Sequence, residues 1–541
     1  MFMTLRPTIS KKEGERNMGV FLNPGNSNFK RACHSEIYVD KTGLIELTNK
    51  IIDTEQRFIC ISRPRRFGKS MAANMLAAYY GRECNSEELF HPYKIAKCEN
   101  YENYLNQYNV IALNMQNFLS ISSSIAELIA YMESKIITEL REYYPGKISE
   151  SETFLSMALD ELYSKTDEGF VFIIDEWDCV LRDPKYTLDD QKKYLDFIRN
   201  LLKDKSYVSL AYMTGILPIK KYGTHSALNM FWEYSMTNPK KFAEFTGFTE
   251  NEVKELCERY NMSFSDMKNW YDGYSFKNAP HIYNPRSVVE AILSEEFGSY
   301  WTRTETYEAL KIYLQMNYDG LKDAIIQMIT GDEVVINTEK FQNDMTTFHS
   351  KDDVLTLLVH LGYLAFNSKT SKVYIPNAEI RGEYHNAIEG EHWKEVIDAI
   401  KHSEQLLQAT WKEDSKAVAE MIDTIHMENT SILTYNNENS LSCVISLAYY
   451  NAMNDYTKFR ELPTGKGFAD IIYLPKKHSD KPAMIIELKY DKSAEGAIAQ
   501  IKSKKYMESL KEYTGNLLLV GINYDKQTKK HTCVIEKYTK E

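Results

Sequence analysis

The 541-residue chain has no run of about 18 apolar residues, the length a helix needs to cross a bilayer. No membrane span is therefore expected. Its eight cysteines are scattered, with no C-x-x-C and no Cys/His spacing of the zinc type. That excludes a disulfide scaffold or a structural zinc site and fits free thiols in a reduced cytosolic setting. The opening residues, MFMTLRPTISKKEGERN, hold no apolar segment, so no secretory leader is expected. Internal repeats and low-complexity tracts are missing, which excludes solenoids and arrays. Positive charge is not in excess either. The 65 Lys and Arg stand against 76 Asp and Glu, a formal net charge of −11. A chain coated in nucleic acid is thereby disfavoured, although a local basic groove is still allowed. What is present is a globular composition, 43% hydrophobic and 12% aromatic with 38 tyrosines. Such a length should hold roughly two to four domains.

The most informative stretch is FICISRPRRFGKS, residues 58–70. An apolar β-rich run ends in a loop closed by Gly68, Lys69 and Ser70, and a helical pattern, MAANMLAAYY, follows at once. Strand, loop and helix in this order are the context of a phosphate-binding loop, in which backbone N–H groups and the helix N-terminus face an anion. Arg65, Arg66, Phe67 and Gly68 would form the cradle. Lys69 would reach the β- and γ-phosphates of ATP, and Ser70 would ligate Mg²⁺. The first Gly of the G-x-x-x-x-G-K-[ST] pattern falls on Arg63. Pro64 would supply rigidity there, and Arg63, Arg65 and Arg66 would add charge. A basic surface turn before an ordinary helix would read the same way.

A second segment decides between them. FVFIIDEWD, 170–178, is a buried strand with Asp175 and Glu176 at its C-terminal end. Ligands of parallel α/β sheets bind just outside that end. Asp175 is placed to hold Mg²⁺ through water, and Glu176 to polarise an attacking water. A third strand, YVSLAYMTG, ends at Thr214, a candidate contact to the γ-phosphate or the water.

Residues 19–235 read as a parallel α/β sheet with helices on both faces, its strands at 58–62, 109–114, 170–175 and 207–213. Residues 236–420 read as mostly helical. A small hairpin is expected at 363–376, close to a winged-helix layout, with simple core packing as the preferred account of it. Residues 421–541 change again to an α-β-β-α-β unit: a helix at 438–453, strands at 467–475 and 483–490, a helix at 494–510 and a last strand at 516–525. Within it, Asp470 lies on one strand and Glu487 and Lys489 on the next, as E-x-K. Period-two alternation sets Glu487 and Lys489 on one face of an otherwise apolar strand. Ionisable groups there are costly unless paired or metal-bound. Asp470 and Glu487 can share a divalent cation, and Lys489 can orient or deprotonate a water. Glu438 is a possible further ligand. Gln500, Lys504 and Tyr506 on the following helix could meet a phosphate backbone. A Glu–Lys pair on a solvated edge strand is the competing account.

Together these residues resemble a family of bacterial and archaeal proteins with an AAA-ATPase-like N-terminal domain and a C-terminal PD-(D/E)XK nuclease domain. YVDKTGLIELTNK (38–50), RPRRFGKS (63–70), FIIDEWD (172–178), TGILPIKKYGTHSALN (214–229), FTGFTENEV (245–253) and WYDGYSF with YNPRSV (270–276, 283–288) carry the likeness. GFADIIYLP, IIELKY and AIAQIKSKKY are similar to the nuclease core, so Asp470, Glu487 and Lys489 carry over, Gln500 and Glu438 more loosely. The resemblance implies a P-loop NTPase sheet, a helical middle region and a restriction-endonuclease-like domain. It implies ATP and Mg²⁺ as cofactors, nucleic acid as partner (DNA more than RNA), a homo-oligomer and a cytoplasmic setting. Arg286 and the Arg65/Arg66 pair are the candidates for an arginine finger. Two functions fit: an ATPase whose nucleotide state controls a metal-dependent nuclease, or a nucleotide switch whose nuclease fold has become a docking module. The retained Asp470, Glu487 and Lys489 favour the first, the acidic net charge the second.

Overall fold

The computed structural model describes residues 19–222, 225–226, 228–301, 307–316, 318–343, 345, 348–388, 393–429, 438–464, 467–476, 479–503, 513 and 515–538. The chain divides into two compact units. One runs to Tyr300 and includes Asn337–Lys369; the other comprises Trp301–Ile336 and Thr370 onward. The helical stretch expected over 236–420 is thus shared between them, because each group of helices packs into the core of a different unit. Among the described residues no helix is long and apolar enough to cross a membrane.

The first unit is built on five parallel strands. They are β1 (Phe58–Ser62), β2 (Asn109–Asn114), β3 (Phe170–Asp175), β4 (Val208–Gly215) and β5 (Trp232–Tyr234), in the order β2-β3-β4-β1-β5. Four coincide with the sequence expectation to within two residues. The strands are continuous apolar runs, and both faces are buried. Ile59, Ile61, Val171, Ile173, Leu210 and Tyr212 share one core with Met75, Leu76 and Tyr79 of the helix α1 (Lys69–Tyr80). The alternate residues Cys60, Phe172, Ile174 and Met213 face the other way and are equally buried. The register aligns the C-terminal ends, pairing Asn114 with Asp175, Asp175 with Thr214, and Thr214 with Ile61. Every strand therefore delivers its last residue to one edge, beside the start of α1. Three further helices, α2 (Glu250–Arg259), α3 (Phe264–Tyr271) and α4 (Pro285–Ser294), close round Val253, Leu256, Met267, Tyr271 and Val288. Each has an N-cap side chain, Thr249, Ser263 and Asn284, which receives orphan amides of the first turn.

The second unit carries a five-stranded sheet in sequence order: β6 (Tyr456–Thr464), β7 (Gly467–Pro475), β8 (Ala483–Tyr490), β9 (Leu517–Asp525) and β10 (Lys530–Tyr538). All neighbours are antiparallel except β8 and β9, which are parallel and joined through the helix α5 (Ala494–Ser503). The two outer strands were not expected from sequence. Strands also occur at Ala365–Asn367 and Lys372–Tyr374, where the hairpin was expected, and the division between the units falls in the turn that separates them.

Candidate nucleotide and metal sites

The loop between β1 and α1 is shaped by two left-handed residues. Arg66 has φ 67° and Gly68 φ 84°. A Cβ on Gly68 would meet nothing within 4 Å, so conformation and not space calls for glycine there. Lys69, buried at the start of α1, donates from Nζ to the Pro64 carbonyl at 2.9 Å, arching back over the loop. Burial pulls its ammonium below the usual lysine range, against the pull of Glu176, Asp175 and Asp178. Phe67 is buried, edge-on to Tyr274 with ring centroids 5.2 Å apart, and its carbonyl accepts from Gly247 N at 3.0 Å. The FTGFTENEV and WYDGYSF segments thus fasten the loop's outer wall, a role sequence reasoning had not assigned to them. Arg65 is exposed and Arg66 donates to the Tyr300 carbonyl at 2.6 Å.

Arg63 corrects one expectation. It does not add charge to the loop's mouth. It is fully buried, donates from Nη1 to the carbonyls of Ser62 (2.8 Å) and Tyr234 (2.9 Å), and lies 5.4 Å from the Phe276 ring. Desolvation pulls its guanidinium down to about 10. A glycine at that position would leave the carbonyl of β5 and the face of Phe276 without this partner.

At the end of β3, Asp175 is 6% exposed, hydrogen-bonds Ser70 and accepts from Glu176 N at 3.0 Å. Desolvation, then the neighbouring Glu176, raises its carboxyl above the ordinary range. Asp175, Ser70 and Lys69 therefore meet at one place, and the donor set of carboxylate, hydroxyl and ammonium suits Mg²⁺ with a phosphate chain. Glu176 stands in the left-handed region, φ 53°, and its Oε2 is ion-paired with Arg182. Arg182 Nε lies 3.1 Å from Asp178 Oδ2, and the same oxygen accepts from Ile216 N (3.0 Å) and Leu217 N (2.7 Å) just past β4. Neither Arg182 nor Asp178 was singled out from sequence; an i, i+4 Asp–Arg pair after the acidic strand end was the available signal. Thr214, opposite Asp175 at the end of β4, is buried, and its Oγ1 donates to the Ile61 carbonyl at 3.0 Å.

Beside the loop lies a cavity of about 360 Å³, lined by Tyr38, Val39, Phe67, Met75, Phe248 and Val289 among others. That volume and apolar lining suit a nucleoside. Arg286, at the start of α4, reaches its rim and is ion-paired with Glu290.

In the second unit the β8 residues Glu487 and Lys489 are both buried and face the same way. Lys489 Nζ donates to Glu487 Oε1 at 2.9 Å. Gln500 on α5 donates to the same oxygen. The alternative of a solvated edge pair is ruled out, since β8 is flanked on both sides by strands. The β7–β8 register pairs Ile471 with Ile486; continued by one residue, it sets position 470 opposite Glu487. The side chains of Asp470 and Glu438, and all of Lys504 and Tyr506, lie outside the described residues. Among the described residues no group of three or more His, Cys, Asp or Glu side chains is arranged to hold a metal. Of these three groups only the Glu487 carboxylate can ligate a divalent cation, while the Lys489 ammonium and the Gln500 amide can hold that carboxylate or a water in place.

Comparison with known proteins agrees with this division. Residues 25–225 match the family described as "Predicted AAA-ATPase", and residues 436–533 match the "PD-(D/E)XK nuclease superfamily". An Azotobacter chroococcum mcd 1 protein, described as an uncharacterized protein in the vnfD 5' region, is 22% identical over 387 residues, 68% of this chain and 69% of that relative. Among solved structures, the Aeropyrum pernix ORC2 protein (ADPNP–ADP complexes) aligns at TM-score 0.29 and 11% identity, over 65% of this chain and 96% of its own. Cdc6p of Pyrobaculum aerophilum aligns at 0.25 and 10%, over 67% and 97%. Likenesses at those scores carry no argument about this chain. The two family matches do: the chain joins an AAA-ATPase-like domain to a C-terminal domain of the PD-(D/E)XK nuclease superfamily.

Proposed function

We infer that the chain binds and hydrolyses ATP with Mg²⁺ in its AAA-ATPase-like domain, and that the nucleotide state governs metal-dependent cleavage of nucleic acid, DNA more than RNA, at its C-terminal domain. The observation that carries this reading is the buried convergence of Lys489 and Gln500 on Glu487, because a docking surface has no use for ionisable groups sunk in a sheet. Lys69 and the loop amides bind the phosphates, Ser70 and Asp175 hold the cation, and Glu176 orients and deprotonates the water. In the C-terminal domain Asp470, Glu487 and, in the same reading, Glu438 provide the carboxylates. A divalent ion there supplies an activated water and neutralises charge on the phosphoryl group. Lys489 orients the water, and Gln500 fixes the Glu487 carboxylate. The functional regions follow as 19–235, 236–420 and 421–541, in a cytoplasmic homo-oligomer.

The test is cleavage of labelled DNA and RNA with Mg²⁺ or Mn²⁺, with and without ATP. Lys489→Ala should abolish cleavage, and Lys69→Ala should change its rate through the nucleotide. Coupling of about 1–3 kcal/mol between the sites would alter the rate roughly 5- to 150-fold. No cleavage under any condition refutes the nuclease reading. It would leave a nucleotide switch with an inactive docking domain, the reading that the net charge of −11 favours.

A further inference from the structure

The first unit holds a second recess, of about 340 Å³, that the proposed chemistry does not use. Lys240, Lys241 and Lys277 line it, and no Asp or Glu does. In a chain with a net charge of −11, three cations without an acid in one concavity is a local inversion of sign. All three lysines are exposed, and none is ion-paired to a carboxylate among the described residues.

Each lysine stands on a fixed support. Lys277 occupies a tight turn closed by two backbone bonds, Phe276 N to Ala279 O (3.0 Å) and Ala279 N to Phe276 O (3.2 Å). Lys240 and Lys241 open the 3-10 helix Lys240–Phe245 behind Pro239, and Lys240 is held at φ 45°. Their ammonium groups lie 5.9 Å from the Tyr234 ring and 5.4 Å from the Phe242 ring respectively. Side-chain amides and hydroxyls of Asn238, Asn278 and Ser368 share the lining. The aromatic lining residues, Phe276 and Phe366, are buried. No ring in the lining is open for a base to stack on, so the recess offers charge and hydrogen bonds but no base readout.

We propose that this recess binds the phosphodiester backbone of a nucleic acid without regard to sequence, giving the ATPase-like unit its own contact with the strand. The proposal rests on the nucleic-acid reading given above and deepens it. It also explains why the recess sits where it does. Phe276 forms part of its wall and at the same time packs against Arg63, the residue that opens the phosphate loop. A strand seated here would press on the support of the nucleotide site.

The experiment uses the full chain in EDTA, with a labelled 20-mer as single strand and as duplex, and fluorescence anisotropy over a series of salt concentrations. Lys240→Gln/Lys241→Gln/Lys277→Gln changes only exposed side chains, and an unaltered melting curve confirms its fold. The triple variant should bind about tenfold or more weakly at low salt. Its slope of log affinity against log salt should be shallower by about 2 for a single strand and nearly 3 for a duplex. The two probes show which form is held. Wild-type affinity and salt slope in the triple variant overturn the recess and leave the nuclease reading standing. Binding that the triple variant loses, in a chain that never cleaves, supports the recess and overturns the nuclease. A wild-type chain that binds neither probe overturns the recess.

Discussion

Replacing Lys489 with Ala should do more than abolish chemistry; it should loosen the sheet that holds the site. The Glu487 side chain is 2% exposed and that of Lys489 10%. Glu487 Oε1 takes both the Lys489 ammonium and the Gln500 amide. Without the ammonium, a carboxylate in a sheet interior loses the cation that sits 2.9 Å from its Oε1. Breaking a buried pair from one side costs about 3–5 kcal/mol, whereas exchanging both partners for uncharged groups of similar size is often neutral. Glu487→Gln/Lys489→Met should therefore lie within about 1–2 kcal/mol of wild type, and with the single variants Glu487→Gln and Lys489→Met the cycle should give a coupling of about 2 kcal/mol or more. Hydrogen exchange at β9 is the assay. Glu487 pairs in register with Gly521 and Lys489 with Asn523, so amides of Leu517–Asp525 report the local opening free energy. A divalent cation should return part of the lost protection to Lys489→Ala, since it restores a positive charge beside Glu487. Unchanged protection in the single variant would refute the reasoning, and so would a double variant as loose as the single one.

Three further outcomes follow from burial and charge. Asp175 has a folded-state pKa raised by desolvation, so its stabilising contribution is full below the unfolded value and falls away as pH rises; Asp175→Asn should raise the melting temperature of the ligand-free chain at pH 7 while ending stabilisation by Mg·ATP, and calorimetry showing a lower melting temperature would contradict this. Arg182→Ala should destabilise the first unit by about 2–4 kcal/mol, less than a fully buried pair because Glu176 keeps some water, and should slow hydrolysis by freeing Glu176; urea titration and turnover measure the two effects, and unaltered values for both would dismiss the contact. His360 is fully desolvated, stacks on Phe341 and is further disfavoured as a cation by Lys221 and Arg63, which brings it down to about 3. A depressed histidine contributes stability above its unfolded pKa and loses it as pH falls, here from 6.5 toward 3; by pH 5 the loss is about 2 kcal/mol, and His360→Phe should flatten stability over that span in pH-dependent denaturation.

What the residues revealed in advance tracks how far each signal depends on distant partners. Strands β1 to β4 were legible because buried parallel strands are unbroken apolar runs. β5 was not: it is three residues long, WEY, with Trp232 exposed, and only its pairing with β1 makes it a strand. The outer strands β6 and β10, YTKFRELPT and KHTCVIEKY, mix charge with apolar residues as edges do, and so hid among loops. Lys69, Asp175, Glu487 and Lys489 stood out because ionisable groups set at short spacings beside unbroken apolar runs are visible in the sequence itself. Arg63 was misread for the converse reason. It is occupied by a backbone carbonyl far away in the chain, that of Tyr234, and no local pattern announces that.

The left-handed backbone of Glu176 sets two selective pressures against each other. At φ 53° the conformation suits Asn or Gly, and a glutamate there carries a strain of about 1 kcal/mol or more. Drift toward a tougher fold would replace it, while the role in hydrolysis proposed above would keep it. A lineage that gave up hydrolysis but kept nucleotide binding would have no reason to bear the strain. Glycine or asparagine at position 176 would then mark a relative that has become a pure sensor, and glutamate one that still turns over its nucleotide.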